Sequence, residues 1–277
     1  MPDSTPCPEV TSSLNRAAFG AEPGASPLPA SDVPVERWMR AVAWGARGHY
    51  SRSRADLEAL TRGGDAEPAV VSLAWSTQAS LLRQLGWHRV ASGFDGRALA
   101  VVGTGPGDGG GTLVREARCD ALTGLAADAL GCGRLALGRR LLERCAELLD
   151  EGAADRLWRQ RVRTHWVSAE LFLAGGDFVS ARRHAETAAE ISEASGSVRH
   201  HIKSDLLRSA AMTGEPDSGP AARLAADVLD RCDRHGLIPL KWAAAMLLGG
   251  VTSDSRARAV REECEAVIRA RGGRFRF

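Results

Sequence analysis

The residues best suited to binding chemistry lie in one arginine- and tryptophan-rich segment, residues 156–166. Guanidinium groups form paired hydrogen bonds with carboxylates and phosphates, and they also stack on aromatic faces. The segment is therefore a candidate basic patch for a carboxylate, a phosphate or an acidic peptide. The interpretation that we favour from the sequence is an ordinary solvated helix face whose arginine stems cover apolar surface. The arginines of this patch are Arg156, Arg159, Arg161 and Arg163.

Patterns that would indicate catalysis or a cofactor fail on their context. The glycine-rich stretch 103–111 contains a G-x-G-x-x-G match, but no strand precedes it and no βαβ unit surrounds it, so we expect a flexible linker there. His201 and Asp205 share a helix face, yet two ligands are too few for a metal site. No nucleophile–base arrangement can be nominated from spacing. The sequence therefore predicts no enzyme activity, no cofactor and no metal.

The composition is that of a globular chain with little net charge. Of the 277 residues, 44% are hydrophobic and 25% are charged, and the formal net charge is +2, so bulk charge gives no indication of nucleic-acid binding. Arginine supplies every basic residue except Lys203 and Lys241. The N-terminus lacks the pattern of a signal peptide, and no apolar run approaches the roughly 20 residues of a membrane span. We therefore expect a cytoplasmic protein without membrane association.

The distribution of proline predicts where helices form. Most prolines lie in the first 34 residues, mixed with Ser, Ala and Gly, so residues 1–33 are predicted to be a disordered tail. No proline occurs between Pro106 and Pro216, and this interval repeats apolar residues at a spacing of three to four. Nowhere does the chain show the alternation of a strand. The sequence predicts an all-α protein.

A unit that recurs along the chain predicts helical hairpins. Each copy has a helix, a glycine, a large residue two positions later and a small residue three positions beyond that, as in Gly176, Phe178 and Ala181. The glycine ends the first helix, and the small residue lets the second helix approach closely. Further copies begin at Gly48, Gly86, Gly133 and Gly214, the fifth with its small residue displaced to about Ala222, and a degenerate sixth centres on Trp242, Ala257 and Cys264.

This pattern resembles the tetratricopeptide-repeat (TPR) family and TPR-like proteins, including the uncharacterised helical-repeat proteins common in actinobacteria. The segments 176–188 and 85–91 carry the resemblance best, and it covers about residues 34–271. It implies a right-handed α-solenoid of antiparallel helix hairpins. The sequence beyond it, residues 272–277, is expected to be a frayed basic tail.

The TPR resemblance also implies a concave groove lined by the first helix of each hairpin. A mixture of charges and tryptophans there suits an extended peptide or a small ligand. We expect a non-enzymatic adaptor that binds a peptide segment. A ligand-sensing regulator of a transcription or signalling partner is the alternative, and RNA or ribosome binding through arginine patches is a weaker one. By register, the groove contains Trp38, Arg83, Asp120, Arg163, Trp166, Glu170, His201, Asp205, Arg208 and Trp242.

Overall fold

A computed structural model describes residues 8–64, 66–104, 111–150, 157–252 and 255–276. Within these ranges every regular element is an α-helix and no strand occurs, which confirms the all-α prediction. The helices are α1 (Pro8–Phe19), α2 (Pro34–Ala46), α3 (Tyr50–Arg62), α4 (Pro68–Arg83), α5 (His88–Val102), α6 (Thr112–Gly131), α7 (Leu135–Asp150), α8 (Trp158–Ala174), α9 (Phe178–Ala194), α10 (Val198–Met212), α11 (Gly219–Arg234), α12 (Ile238–Val251) and α13 (Ser255–Ala270).

Helices α2 to α13 form consecutive pairs whose turns lie where the repeat predicts them. The turn glycines of the first four pairs all have a positive φ, which L side chains rarely adopt. The small residues that follow are buried at the helix crossings. At Gly138, for example, an added Cβ would lie only 3.3 Å from the Ala126 carbonyl oxygen of the preceding helix α6 and 3.0 Å from a methyl group of Leu171 in α8. The turn glycines are Gly48, Gly86, Gly133 and Gly176, and the small residues are Ser53, Ala91, Gly138 and Ala181.

The fifth pair, α10 and α11, differs from the expectation by one residue. The fully buried small residue is Ala221 rather than Ala222, and its carbonyl accepts a 2.8 Å hydrogen bond from the Ser209 hydroxyl. Gly214 is not among the glycines with a positive φ. This connection covers residues 213–218 and contains Pro216, whereas Pro220 lies in the first turn of α11. The longer connection does not need the left-handed glycine of the earlier, tighter turns.

The first helices of the pairs contact one another in chain order, and the last returns to the first. Helix α2 contacts α4, and the contacts continue through α6, α8 and α10 to α12, which contacts α2. Helices α3, α5, α7, α9 and α11 each contact the helix before and the helix after them. The even-numbered helices therefore form a closed succession of contacts around an interior.

The C-terminal segment helps to close this succession, so the prediction of a frayed tail is wrong for residues 272–276. The indole N–H of Trp87 donates to the Arg274 carbonyl at 2.7 Å, and the Arg276 N–H donates to the Leu85 carbonyl at 2.9 Å. Phe275 also packs on Trp242, with ring centroids 5.2 Å apart. Burial of this aromatic ring gives a basic segment an apolar reason to fold back. Residue 277 lies outside the described residues.

The prediction of disorder over residues 1–33 is also wrong for the part that the structure describes, residues 8–33. Helix α1 buries Leu14, Ala17 and Ala18 against α2, and the guanidinium group of Arg199 donates to the Ala18 carbonyl at 3.1 Å. These apolar residues lie on one helix face, a pattern that the surrounding Pro, Ser and Gly obscure in the composition. Residues 1–7 lie outside the described residues.

Two further expectations fall partly or wholly outside the described ranges. Residues 105–110 of the expected linker are not described, and neither is Arg156 of the predicted basic patch. The helices that the structure does describe include none that combines the length and the apolar character needed to cross a membrane.

Replacing Leu14 with alanine tests whether α1 is part of the folded core. Leu14 is 0% exposed, so Leu14→Ala should lower the free energy of unfolding by about 2–5 kcal/mol in chemical denaturation. The exposed neighbour Asn15 provides the control, and Asn15→Ala should change it by less than about 0.5 kcal/mol. Equal, negligible effects of the two substitutions would mean that α1 does not contribute to the folded state.

Candidate functional site

Three adjoining cavities lie between the even-numbered helices. The charged cavity, about 390 Å³, lies between α4, α6, α8 and α10. The apolar cavity, about 280 Å³, lies between α8, α10 and α12, and the narrow cavity, about 60 Å³, lies beside α1 and α2. Gln84, at the end of α4, lines all three. The charged and apolar cavities additionally share Trp166, Glu170 and Lys203.

Arg83 is neutralised by two buried carboxylates on one wall of the charged cavity. Its guanidinium lies 2.9 Å from Asp95 of α5 and 2.7 Å from Asp128 of α6. Burial raises the pKa of Asp95 to about 7, and the neighbouring carboxylate of Asp128 adds to this shift although Arg83 opposes it. Arg83 is therefore committed to an internal ion pair that joins three helices.

A second buried ion-pair cluster joins α6 to α8. Arg159 lies 2.7 Å from Asp120 and 3.4 Å from Glu116, and Arg163 shares Asp120 at 3.1 Å. Two guanidinium groups thus compete for one carboxylate. Burial lowers the pKa of Arg163, and the charges of Arg159 and Arg83 lower it further, whereas Asp120 opposes the shift. Arg163 lines the charged and narrow cavities and is only partly neutralised there.

Lys203 of α10 extends into the space shared by the charged and apolar cavities. Its ammonium group lies 3.6 Å from Glu170 and 4.6 Å from the ring centre of Trp166, a cation–π distance. Trp166 is held by a 2.9 Å hydrogen bond from its indole N–H to the Ser204 hydroxyl. Burial lowers the pKa of Lys203. The tryptophan is therefore fixed, and the ammonium group lies directly over it.

Arg199, one helical turn before Lys203, is the cation with the least compensation. Among the described residues no carboxylate oxygen lies within 4.0 Å of it, its Nε is buried without a hydrogen-bond acceptor, and its one hydrogen bond goes to the Ala18 carbonyl. Burial lowers its pKa to about 10, and the charges of Arg163 and Arg159 lower it further. A buried donor without an acceptor is costly unless something supplies one. Arg199 lines the narrow and apolar cavities.

The apolar cavity continues away from these cations along α10 and α12. Leu206 and Leu207 of α10 form one side, and Leu240, Trp242 and Ala243 of α12 form another. The charged and apolar cavities thus adjoin at Lys203 and Trp166, which line both.

The structure brings most of the predicted groove residues to these cavities. Arg83, Arg163, Trp166 and Glu170 line the charged cavity, Trp38 and Asp120 line the narrow one, and Trp242 lines the apolar one. Trp38 is fully engaged, because its ring is buried and its N–H donates to Thr77 at 2.9 Å.

The remaining three predicted groove residues belong to a separate cluster between α10 and α11. His201 lies 3.4 Å from Asp205, as their spacing predicts, and Arg208 lies 3.0 Å from the same carboxylate. Arg231 of α11 completes the cluster at 2.6 Å from Asp205. The residues of α10 that line the charged and apolar cavities are instead Arg199, Lys203, Leu206 and Leu207.

The described arginines of the predicted basic patch do not form one surface. Arg159 and Arg163 enter the buried clusters described above. Arg161 points the opposite way, donating to the Leu149 carbonyl at 2.7 Å, and lines an outer groove of about 380 Å³ between α7 and α9. Residues two positions apart on a helix point in nearly opposite directions, whereas residues four apart share a face. Arg159 and Arg163 therefore face the interior, and Arg161 faces the outer groove.

That outer groove also contains a histidine pair. Nδ1 of His165 lies 2.9 Å from Nδ1 of His184, and burial, together with the neighbouring His184 and Arg161, lowers the pKa of His165 to about 4. The pair is therefore neutral and hydrogen bonded near pH 7. Nowhere in the described ranges do three His, Cys, Asp or Glu side chains come together in a group that could hold a metal ion.

Sequence reasoning missed Arg199, Lys203 and Gln84. Lys203 carried a usable signal, since it is one of two lysines in a chain that otherwise uses arginine. Arg199 carried none, because the N-terminal residues that contact it were expected to be disordered. No protein-family model matches the chain, and a comparison with curated proteins finds no match.

The buried carboxylate of Asp95 predicts a pH dependence of stability. In the unfolded chain Asp95 titrates near 3.8, whereas in the folded protein it titrates near 7, so the folded state binds the extra proton between these values. The stability that this extra proton contributes is fully present below about pH 4 and is lost as the pH rises toward 7. The free energy of unfolding of Asp95→Asn minus that of the wild type should therefore be larger at pH 8 than at pH 5. Chemical denaturation at the two pH values measures this difference. The same difference at both pH values would contradict the assignment.

Proposed function

We propose that this chain is a non-catalytic, ligand-sensing protein that takes an anionic ligand into its central cavities and acts on a transcription or signalling partner. The observation that carries the proposal is the group of three cations on the cavity walls, Arg163, Arg199 and Lys203, which have too few carboxylates to neutralise them. An anion among them would accept hydrogen bonds from the buried Nε of Arg199, which has no acceptor, and from the partly exposed ammonium group of Lys203.

Burial explains why such a site would favour an anion over water. Each of the three cations has a lowered pKa, so burial already disfavours its charged form. A carboxylate or phosphate at hydrogen-bond distance offsets that cost more effectively in a buried cavity than at an exposed surface, where solvent and salt screen the interaction. The proposed ligand therefore completes a charge arrangement that the fold leaves incomplete.

The proposal includes the finer expectations about the chain. We interpret the hairpins as TPR-like and their path as right-handed, supported by the recurring turn glycines and the buried small residues that follow them. A cytoplasmic location is part of the same proposal. Nucleic-acid binding is disfavoured because the described arginines of the predicted patch do not share one exposed surface: Arg159 and Arg163 enter buried clusters, and Arg161 donates to the Leu149 carbonyl on the opposite side.

Calorimetric titration with the sodium salts of phosphate, acetate and octanoate at pH 7 tests the anion site. Ionic strength is held constant with chloride. At least one of these anions should bind the wild type, and Arg199→Met should weaken that binding at least tenfold by removing the uncompensated cation. Arg234→Met, on the exposed end of α11, is the matched control and should bind like the wild type. Failure of all three anions to bind the wild type would rule out the proposed function.

A peptide-binding adaptor is the second candidate, favoured by the outer groove between α7 and α9. This groove is lined in part by Leu142, Leu149, Leu171 and Phe172. An apolar floor between two helices is a common docking site for a peptide segment. The interior is a less accessible site for a peptide, because α1 and the C-terminal segment contact the helices around it.

Substitution at the rim of the outer groove tests the adaptor. Ala146 is exposed and lines the groove, so Ala146→Arg should abolish capture of any protein that the wild-type chain retains from host extract. Ala136 is exposed on the same helix outside the groove, and Ala136→Arg should leave capture unchanged. Retention of the same protein by both variants would place its binding site elsewhere.

A further inference from the structure

We infer that the ligand of the central cavities is an amphipathic anion: a single carboxylate or phosphate head joined to an unbranched apolar body about the size of a medium-chain fatty acid. This inference rests on the proposed function, since it names the class of anion that the cavities would take. The observation behind it is that the cations lie where the adjoining cavities meet, and that the apolar cavity extends away from them between aliphatic side chains.

The head would lie where the charged and narrow cavities meet the apolar one. Arg199 and Lys203 lie one turn apart on α10, so both can reach the same group. Gln84 lines all three cavities at this place and adds a neutral amide. Glu170, 3.6 Å from Lys203, also lines this place and disfavours a second negative charge nearby. The arrangement therefore suits a head of low charge rather than a di- or triphosphate.

The apolar body would extend into the apolar cavity. Its walls are formed largely by aliphatic side chains and by Trp242, and its charged residues all lie at the end shared with the charged and narrow cavities. A hydrocarbon chain transferred here from water gains about 0.8 kcal/mol for each buried methylene.

The size of the space limits the ligand further. The apolar cavity of about 280 Å³ and the charged cavity of about 390 Å³ together fall in the range of about 300–1,000 Å³ typical of small-molecule sites. Trp166 lines both cavities, and its hydrogen bond to Ser204 holds the ring in place, so the boundary between them has one fixed side chain. A compact inorganic anion would leave the apolar part unfilled, and a neutral apolar molecule would leave Arg199 without an acceptor.

A series of carboxylates of increasing chain length separates the contribution of the anionic head from that of the apolar body. Acetate, butyrate, hexanoate and octanoate are titrated into the full-length chain by calorimetry at pH 7 and constant ionic strength, with octanol as the uncharged comparison. Affinity should rise about tenfold for each added pair of methylenes, and octanol should bind at least tenfold more weakly than octanoate. Phosphate and acetate report on the cations alone.

A substitution that fills the apolar cavity identifies where the chain binds. Ala243 lines this cavity, so Ala243→Phe should remove the dependence on chain length while acetate binding is retained. Met246 lies on the same helix, is 45% exposed and lines none of the three cavities, so Met246→Phe should preserve the whole series. Thermal unfolding of both variants confirms that they remain folded.

The outcomes separate this inference from the proposed function. Binding of phosphate and acetate with no gain across the series would overturn the amphipathic ligand and leave the anion site intact. Octanol that binds as tightly as octanoate, or a chain-length dependence that persists in Ala243→Phe, would also overturn it. Absence of binding by every anion would overturn both.

Discussion

The contact of α12 with α2 closes the succession of inner helices, and beside it Ile268 of α13 lies in the same apolar cluster as Trp38, Tyr50 and Leu57 of the first helix pair. The Ser51 N–H donates to the Arg271 carbonyl at 3.0 Å, and Arg271 donates to the Arg47 carbonyl at 2.8 Å across the same boundary. Without these contacts the inner faces of the helices would border open solvent. The cations of the cavity walls lie among these packed helices, where desolvation lowers their pKa values.

Packing among neighbouring helices raises the energetic cost of any charge on the inner helices that lacks a partner. A solvated arginine loses little when its partner is removed, whereas a buried one that lacks a partner carries a desolvation cost. Arg83 and Arg159 each meet two carboxylates, and these clusters connect α4, α5, α6 and α8. Arg163, Arg199 and Lys203 are less well compensated, and they lie together. A structural ion-pair network has enough carboxylates for its cations, whereas the cations of the binding cavity do not. This difference, rather than the number of charges, distinguishes the two.

Local sequence was sufficient for the helix pairs because short-range geometry specifies them. A glycine at a left-handed turn and a small residue at the helix crossing act within about ten residues of each other, so Gly176 and Ala181 could be assigned their roles directly. The same reasoning extended to the inner faces of α4, α6 and α8 and placed Arg83, Asp120 and Arg163 near one interior. It did not extend to α10, where the register of the repeat is weakest and His201, Asp205 and Arg208 turn toward Arg231.

The sequence by itself determined the all-α class, the positions of four turn glycines and the small residues that pack behind them. Only the tertiary structure decided the fate of the two ends, since composition suggested disorder in α1 and fraying at the C-terminus. Both ends are ordered by contacts with residues far away in the chain, such as Ala18 with Arg199 and Arg276 with Leu85. Such contacts depend on how successive helix pairs rotate relative to one another. Small rotations accumulate over six pairs, so local patterns predict each hairpin but not the meeting of the first with the last.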